Sequence, residues 1–316
     1  MLFDRVYRLQ VGTKGSNTGT EITDLRIQFN IEKTAKKNPN KSSIKIYNLQ
    51  QSTREEFEKP DTRCLLYAGY KEEQGPLLIF NGNVTFAWTQ FDGADVVTEF
   101  ELGDGQKEIR DTTVSVGYKK GVKSGQVLKD VAKQMGMPLT LPSNAPERLW
   151  NNGLSYYGPA HTLVDKVTKA TGLEWSMQNG TLQVVESGMV TTRAGILISM
   201  DSGLLKHPER MRKDKTENSK KKKSKDPLKQ ADGWKVDCLL MPTLNPCDRV
   251  KLESRSVNGV FRIEKLTHDG DTHDGDWQTK LTLIDPKIPI AEVKGTKGGR
   301  GSAGGLEEEA NFEGDL

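Results

Sequence analysis

Apolar residues recur at every second position through much of the first hundred residues, the spacing of strands with one buried face. Leu2 to Val11 alternates loosely, and Gly12 to Thr20 is a turn-rich loop. Ile22, Leu25, Ile27, Phe29 and Ile31 predict a half-buried strand, and Ile44 with Ile46 a shorter one over Ser43 to Tyr47. Further strands are expected at Arg63 to Tyr70, Leu77 to Thr89 and Val96 to Leu102. Asn81-Gly82 and Asp92-Gly93 have turn chemistry. One short helix fits between Ser52, a good N-cap, and Phe57. Together these elements read as a β-barrel or a strongly curved sheet.

The period then changes. Val127, Leu128, Val131 and Met135 share one face of a helix over Gly125 to Met135, with Ser124 as its expected cap and Gly136 as its stop. Pro138 and Leu139 to Leu141 follow as an extended stretch. The plan repeats with Leu163, Val164, Val167 and Ala170 facing inward, Gly172 as the stop and Leu173 to Met177 as a strand. Asn179-Gly180 turns that strand back into Thr181 to Val185, which suggests a small α+β module. From about Ile196 the chain reads as β again, with strands at Lys235 to Met241, Asp248 to Ser254, Gly259 to His268 and Trp277 to Ile284.

Composition adds the boundaries. The 316 residues suffice for two or three small cores, and a mean hydropathy of −0.63 leaves room for polar, unpacked sequence. Between Lys206 and Lys229 lie eleven Lys/Arg and four Asp/Glu, a local excess of +7 that leaves the rest of the +3 chain at −4. This basic segment, 206–230, has no aromatic neighbours around KKKKSKDP and reads as a mobile loop rather than a nucleic-acid face. Seven glycines between Lys294 and Leu316 mark a disordered tail over 291–316. The expected division is 1–110, 111–190 and 191–290, followed by that tail. No run reaches the ~18 apolar residues of a membrane span. Asp4, Arg5 and Arg8 occupy the place of a signal peptide's apolar core, so the chain is expected in a cytoplasm until assembly or lysis.

Candidate chemistry is sparse. Cys64, Cys238 and Cys247 form no CxxC pair and read as buried thiols. Four scattered histidines and the absence of GxSxG, HExxH, GxxxxGK[ST] and GxGxxG argue against an enzyme, and no cofactor is expected. HDGDTHDGD, His268 to Asp276, has metal-capable side chains, but its spacing is not that of an EF-hand. A Gly/Asp-rich loop between alternating strands is what a long hairpin needs, and hairpin is the expectation.

Leu239 to Asp285 resembles the C-terminal barrel of contractile-tail baseplate hub proteins. The resemblance rests on LLMPTLNPCDRVKLESRSVNGVFRIEKLTHDGDTHDGDW and the strand that follows. GLLKHPER (Gly203 to Arg210) looks like the segment entering that barrel, and Gly158 to Val185 like the family's α+β module. Cys247 stands where the family pattern has glycine before Asp248, so a turn with positive φ is expected to be strained there. The resemblance implies two tail-tube-like β-barrel domains flanking an α+β module, assembled as a homotrimer. Its six barrels would match a sixfold tail tube above, with a threefold central spike below. Genomic DNA would pass through the lumen without specific binding. Candidate partner contacts are Lys220, Lys221, Lys222 and Lys223 in the basic loop and Phe312 in the acidic end of the tail. Two alternatives stay open: a hub of a secretion or bacteriocin-like contractile machine, and a metal-dependent wall hydrolase or carbohydrate-binding tail protein using the His268 to Asp276 loop.

Overall fold

The computed structural model describes residues 4–12, 19–38, 40–59, 62–211 and 232–286. The first part holds β1 (Arg5–Gly12), β2 (Gly19–Ile22), β3 (Ile27–Thr34), β4 (Lys41–Tyr47), α1 (Gln51–Phe57), β5 (Arg63–Tyr70), β6 (Gly75–Asp92) and β7 (Asp95–Gly103). The middle holds α2 (Gln106–Asp111), β8 (Thr113–Tyr118), β9 (Val122–Lys123), α3 (Ser124–Gln134) and β10 (Leu139–Thr140). It continues with β11 (Leu149–Trp150), β12 (Leu154–Pro159), α4 (Ala160–Thr171), β13 (Leu173–Gln178) and β14 (Thr181–Glu186). The last part holds β15 (Ile196–Ile198), β16 (Glu209–Met211), β17 (Gly233–Leu239), β18 (Arg249–Glu253), β19 (Asn258–Asp271) and β20 (Trp277–Ile284). The protein is mainly β, with a smaller α+β part.

A single 13-stranded sheet runs β16-β17-β20-β19-β3-β4-β7-β6-β5-β1-β2, with β18 on β19 and β15 on β18. The seam between the two β-rich parts is the antiparallel pairing of β19 with β3, from Lys265 opposite Thr34 to Asp271 opposite Gln28. β19 serves both sides because one edge of its 14 residues pairs first with β18, over Asn258 to Arg262, and then with β3, over Lys265 to Asp271, while the other edge pairs with β20. The sheet curves strongly: although β1 lies far from β19 in strand order, Arg5 Nη1 donates to the Asp271 carbonyl (2.8 Å). Three large apolar cores result, with a small fourth cluster of Ala35, Val185 and Cys247 where the parts meet. The first, with Leu9, Ile27, Phe57, Leu66 and Phe80, also takes Leu240 and Trp277 from the last part. The second packs α3 and α4 on β13 and β14, and the third fills the last part around Val236, Val250 and Leu281.

Several sequence expectations are corrected. Asn81-Gly82 is not a turn but lies inside β6, opposite Leu65 and Cys64. A side chain at Gly82 would sit 2.4 Å from the Gly103 carbonyl oxygen, so the glycine serves close strand approach. The apolar run from Ile22 is interrupted: Ile22 ends β2 opposite Leu9, while β3 begins at Ile27 and pairs with β4. Leu25 packs on the core from the connecting turn, which carries the apolar spacing across the break. Ser124 is the first residue of α3 rather than its cap, and its hydroxyl accepts from the Arg148 N–H (3.0 Å). α1 begins at Gln51 with Gln50 at its N-cap position. Thr168 takes the buried place expected of Ala170, with its hydroxyl donating to the Val164 carbonyl (2.8 Å). The Asp92-Gly93 and Asn179-Gly180 turns and the Gly136 and Gly172 stops are where the sequence puts them, each glycine at positive φ.

Candidate functional site: a buried polar junction and an exposed hairpin

The α+β module is tied to both β-rich parts by side chains reaching backbone groups. The Gln178 amide donates to the Thr34 carbonyl (2.8 Å) and the Asn40 amide to the Met177 carbonyl (3.2 Å). The Asp104 carboxylate accepts from the N–H groups of Asn179 (2.6 Å) and Gly180 (2.9 Å), holding the β13–β14 turn against the end of β7. Burial pushes the Asp104 carboxyl above its ordinary range, against the pull of those two N–H groups. On the other side the Gln183 amide donates to the Pro246 carbonyl (3.0 Å) and accepts from Arg193 (2.7 Å).

Lys33 lies at the centre of this junction, 1% exposed. Its ammonium donates to Asn245 Oδ1 (3.1 Å) and, with the Asn179 amide turned to suit, to Asn179 Oδ1 (3.0 Å). Burial lowers its pKa to about 8, with nearby Asp104 opposing the shift. The adjacent turn, Asn245 to Asp248, is fastened from several sides. Asp248 accepts from Thr191 (2.6 Å), Arg193 (3.1 Å) and the Asn245 N–H (2.9 Å), and the Cys247 N–H donates to the Ile263 carbonyl (2.7 Å). Cys247 has φ 68°, the left-handed conformation that a glycine would occupy without strain. Its buried sulfur accepts from Arg262 (2.9 Å), a residue also paired with Glu174 and Glu264. These side chains fasten three parts of one chain to one another, with Gln178 Oε1 and Arg262 Nε left buried without a hydrogen-bond partner.

The HDGDTHDGD segment is a hairpin, as its flanking strands predict. Asp269 pairs with Gln278 and Gly270 with Trp277, leaving Thr272 to Asp276 as the loop. His268 is fully buried in β19, its Nδ1 bonded to Thr279 Oγ1 (2.9 Å), and burial with the nearby Lys33 charge lowers its pKa well below 6.5. The His273 N–H donates to Asp271 (2.9 Å). Among the described residues no group of three or more His, Cys, Asp or Glu is placed to hold a metal ion. All three cysteines are free and buried. Lys220 to Lys223 and Phe312 lie outside the described residues, as do the tail 291–316 and most of the basic loop.

The surface feature that pattern reading missed is the outer half of the β6–β7 hairpin. There Phe86 (58% exposed) and Phe91 (80%) stand in solvent, and Phe86 stacks on Trp88 with ring centroids 5.4 Å apart. Period-two spacing marks these aromatics as strand residues. It carries no signal that β6, at 18 residues, outruns the core beneath it.

The family model described as baseplate hub gp41 matches residues 8–282. The chain belongs to that family. Baseplate hub membership makes it a structural component of a bacteriophage tail baseplate. No curated protein matches the chain in sequence. Solved structures share the fold at low identity. The 43 kDa tail protein of prophage MuSo2 from Shewanella oneidensis has a TM-score of 0.60 at 9% identity, over 90% of this chain and 99% of that one. A tail protein from Neisseria meningitidis MC58 has a TM-score of 0.61 at 11% identity, over 88% and 96%. An E. coli type VI secretion component, c3393, described as similar to T4 tail proteins gp27 and gp5, has a TM-score of 0.56 at 12% identity, over 88% and 77%. At these identities the likeness is one of fold, and the baseplate hub fold is of this tail-protein type. Among the described residues no helix is long and apolar enough to cross a membrane.

Proposed function

We propose that three copies of the chain form a ring that joins a sixfold tail tube to a threefold central spike and leaves a passage for DNA. The observation that carries this reading is the doubling of β-rich parts within one chain. Each part folds on its own apolar core, and the two are held in one sheet by β3 and β19. Three copies then present six such parts, the number a sixfold tube needs, while the molecule as a whole keeps threefold symmetry. On this reading residues 1–110 and 191–290 are the two tube-like barrel domains and 111–190 the module between them.

Cross-strand ion pairs are consistent with a wall that lets DNA slide. Lys45 pairs with Glu99 (3.1 Å), Lys280 with Asp269 (2.9 Å) and Lys265 with Glu32, which leaves these lysines occupied rather than offered to phosphate. Lys220 to Lys223 and Phe312 are proposed contacts to neighbouring baseplate proteins. Removing residues 294–316 then weakens capture of the spike in a pulldown, and Lys220 to Lys223 changed to Glu lowers the yield of assembled particles.

Electron-microscopy class averages of the chain mixed with its spike protein test the architecture. The expected image is a six-lobed, threefold ring seated on the spike. Particles of single-chain size, with the spike unattached, contradict it.

A further inference from the structure

A threefold ring cannot be built from a patch that meets itself. Each copy must offer one surface and accept the next copy with a different one. The described residues contain two exposed apolar patches on different parts of the sheet. One is the face of the β6–β7 hairpin that carries Phe86 and Trp88, which the register of the pair shares with Glu101 and Asp92, while Phe91 lies on the opposite face. The other lies on β15, β18 and β19, where Leu197 (44% exposed) pairs across to Lys251 and Lys251 to Val260 (40%), so the three share one face. Met200 (72%) extends that face from the turn after β15. β15 is an edge strand, hydrogen-bonded only to β18, with just three residues in its ladder.

Charge distinguishes the two patches. Between Lys71 and Lys107 the sequence has no Lys or Arg and seven Asp/Glu. Asp92 and Asp95 are exposed at the hairpin tip, and Glu101 is exposed at its base. Around the second patch, Arg249 lies beside Leu197's strand, its side chain against Gly195, and Arg255 is exposed at the β18–β19 turn. Lys251 is already paired with Glu253 (2.8 Å), so the two arginines carry the exposed positive charge of this face. An apolar, acidic projection and an apolar, arginine-rimmed face on the same chain are complementary in both respects.

We infer that the β6–β7 hairpin of one copy docks on the β15–β18–β19 face of a second copy, head to tail around the ring. This rests on the trimeric reading above and adds its contact surfaces. Phe86 with Trp88 covers Leu197, Met200 and Val260. Asp92 and Glu101 face Arg249 and Arg255.

The test is the light-scattering mass of the full chain and three variants: Asp92→Lys with Glu101→Lys, Arg249→Glu with Arg255→Glu, and all four together. Each pair reverses charge on one surface and is expected to drop the mass threefold at unchanged melting temperature. The four-fold variant restores opposite charges and is expected to recover the wild-type mass. If a charge pair disturbs folding, Phe86→Ser, at 58% exposure, serves as the hairpin variant with the same expected drop. A wild-type trimer whose paired variants and Phe86→Ser stay trimeric overturns this contact alone, and assigns the hairpin to another baseplate component. Where the chain alone is a monomer, the four masses are read with its spike partner present, and a wild-type chain that keeps single-chain mass even then overturns the trimer itself and this contact with it.

Discussion

At Lys33 a lysine occupies a place the strand pattern reserves for apolar residues, and its charge has a measurable consequence. Unfolded, the ammonium keeps its proton to about 10.5; folded, it releases it near 8. Between those values the unfolded chain binds more protons, so this group's contribution to stability rises with pH. Cys64 and Cys238, pushed up from 9 to about 12 by burial, act in the opposite direction above pH 9. Lys33→Met isolates the term: wild type should gain on the variant as pH rises from 8 toward 10, in paired urea titrations. Asp271, whose pKa folding also lowers, has the same slope in a lower pH window, but here it is the charged form that the fold favours. Burial works to raise its pKa, but hydrogen bonds from Arg26, Gln28 and the His273 N–H outweigh it and hold the group at about 2. That stability is present above the ordinary carboxyl range and is lost as pH falls through 2. Asp271→Asn is expected to cost about 1–2 kcal/mol at pH 7 and less below pH 3, by thermal melts. Cys247 gives a third check. Cys247→Val adds a branched side chain at φ 68° and should cost about 2–3 kcal/mol, while Cys247→Gly stays within about 1 kcal/mol of wild type. The strain at Cys247 was legible because the family pattern has glycine there. The burial of Lys33 was not, since its partners Asn245 and Asn179 lie more than a hundred residues away.

Elements with a strong local signal were read within a residue or two. α4 carries its apolar positions at helical spacing and stops at Gly172, whose φ is 72°. β13 and β14 flank an Asn-Gly turn, and β20 begins at the expected Trp277. Where reading failed, a distant neighbour decided. Asn81-Gly82 has turn chemistry, but β5 and β7 pair on either side of it, and the missing side chain makes room for the Gly103 carbonyl. Gly82→Ala is therefore expected to cost at least about 2 kcal/mol in chemical denaturation, because backbone must move to admit a methyl group. An effect below about 0.5 kcal/mol contradicts that account. α2 carries too few residues for a periodic signal; β8 went unread although Val114, Val116 and Tyr118 alternate at the spacing of a strand. The metal-capable look of HDGDTHDGD comes from hairpin requirements: His268 serves the core, Asp269, Gly270 and Asp271 are strand residues of β19, and Asp274, Gly275 and Asp276 make the loop.

For the whole molecule, the family and the mainly β class were legible from the Leu239 to Asp285 stretch, with its NG-FRI and His-Asp/Gly hairpin. The joining of both β-rich parts into one sheet was not, because nothing local in β3 marks β19 as its partner across more than two hundred residues. The same seam gives the proposed function its physical form. It fixes two β-rich parts of one chain side by side without a linker, so the geometry of a six-part ring is half built before any subunits meet. The most direct test of that central claim is the mass of the purified chain by light scattering, alone and with its spike partner. The account predicts three times the 35.2 kDa of one chain, either spontaneously or once the spike is added. A mass of one chain that the spike leaves unchanged would contradict it.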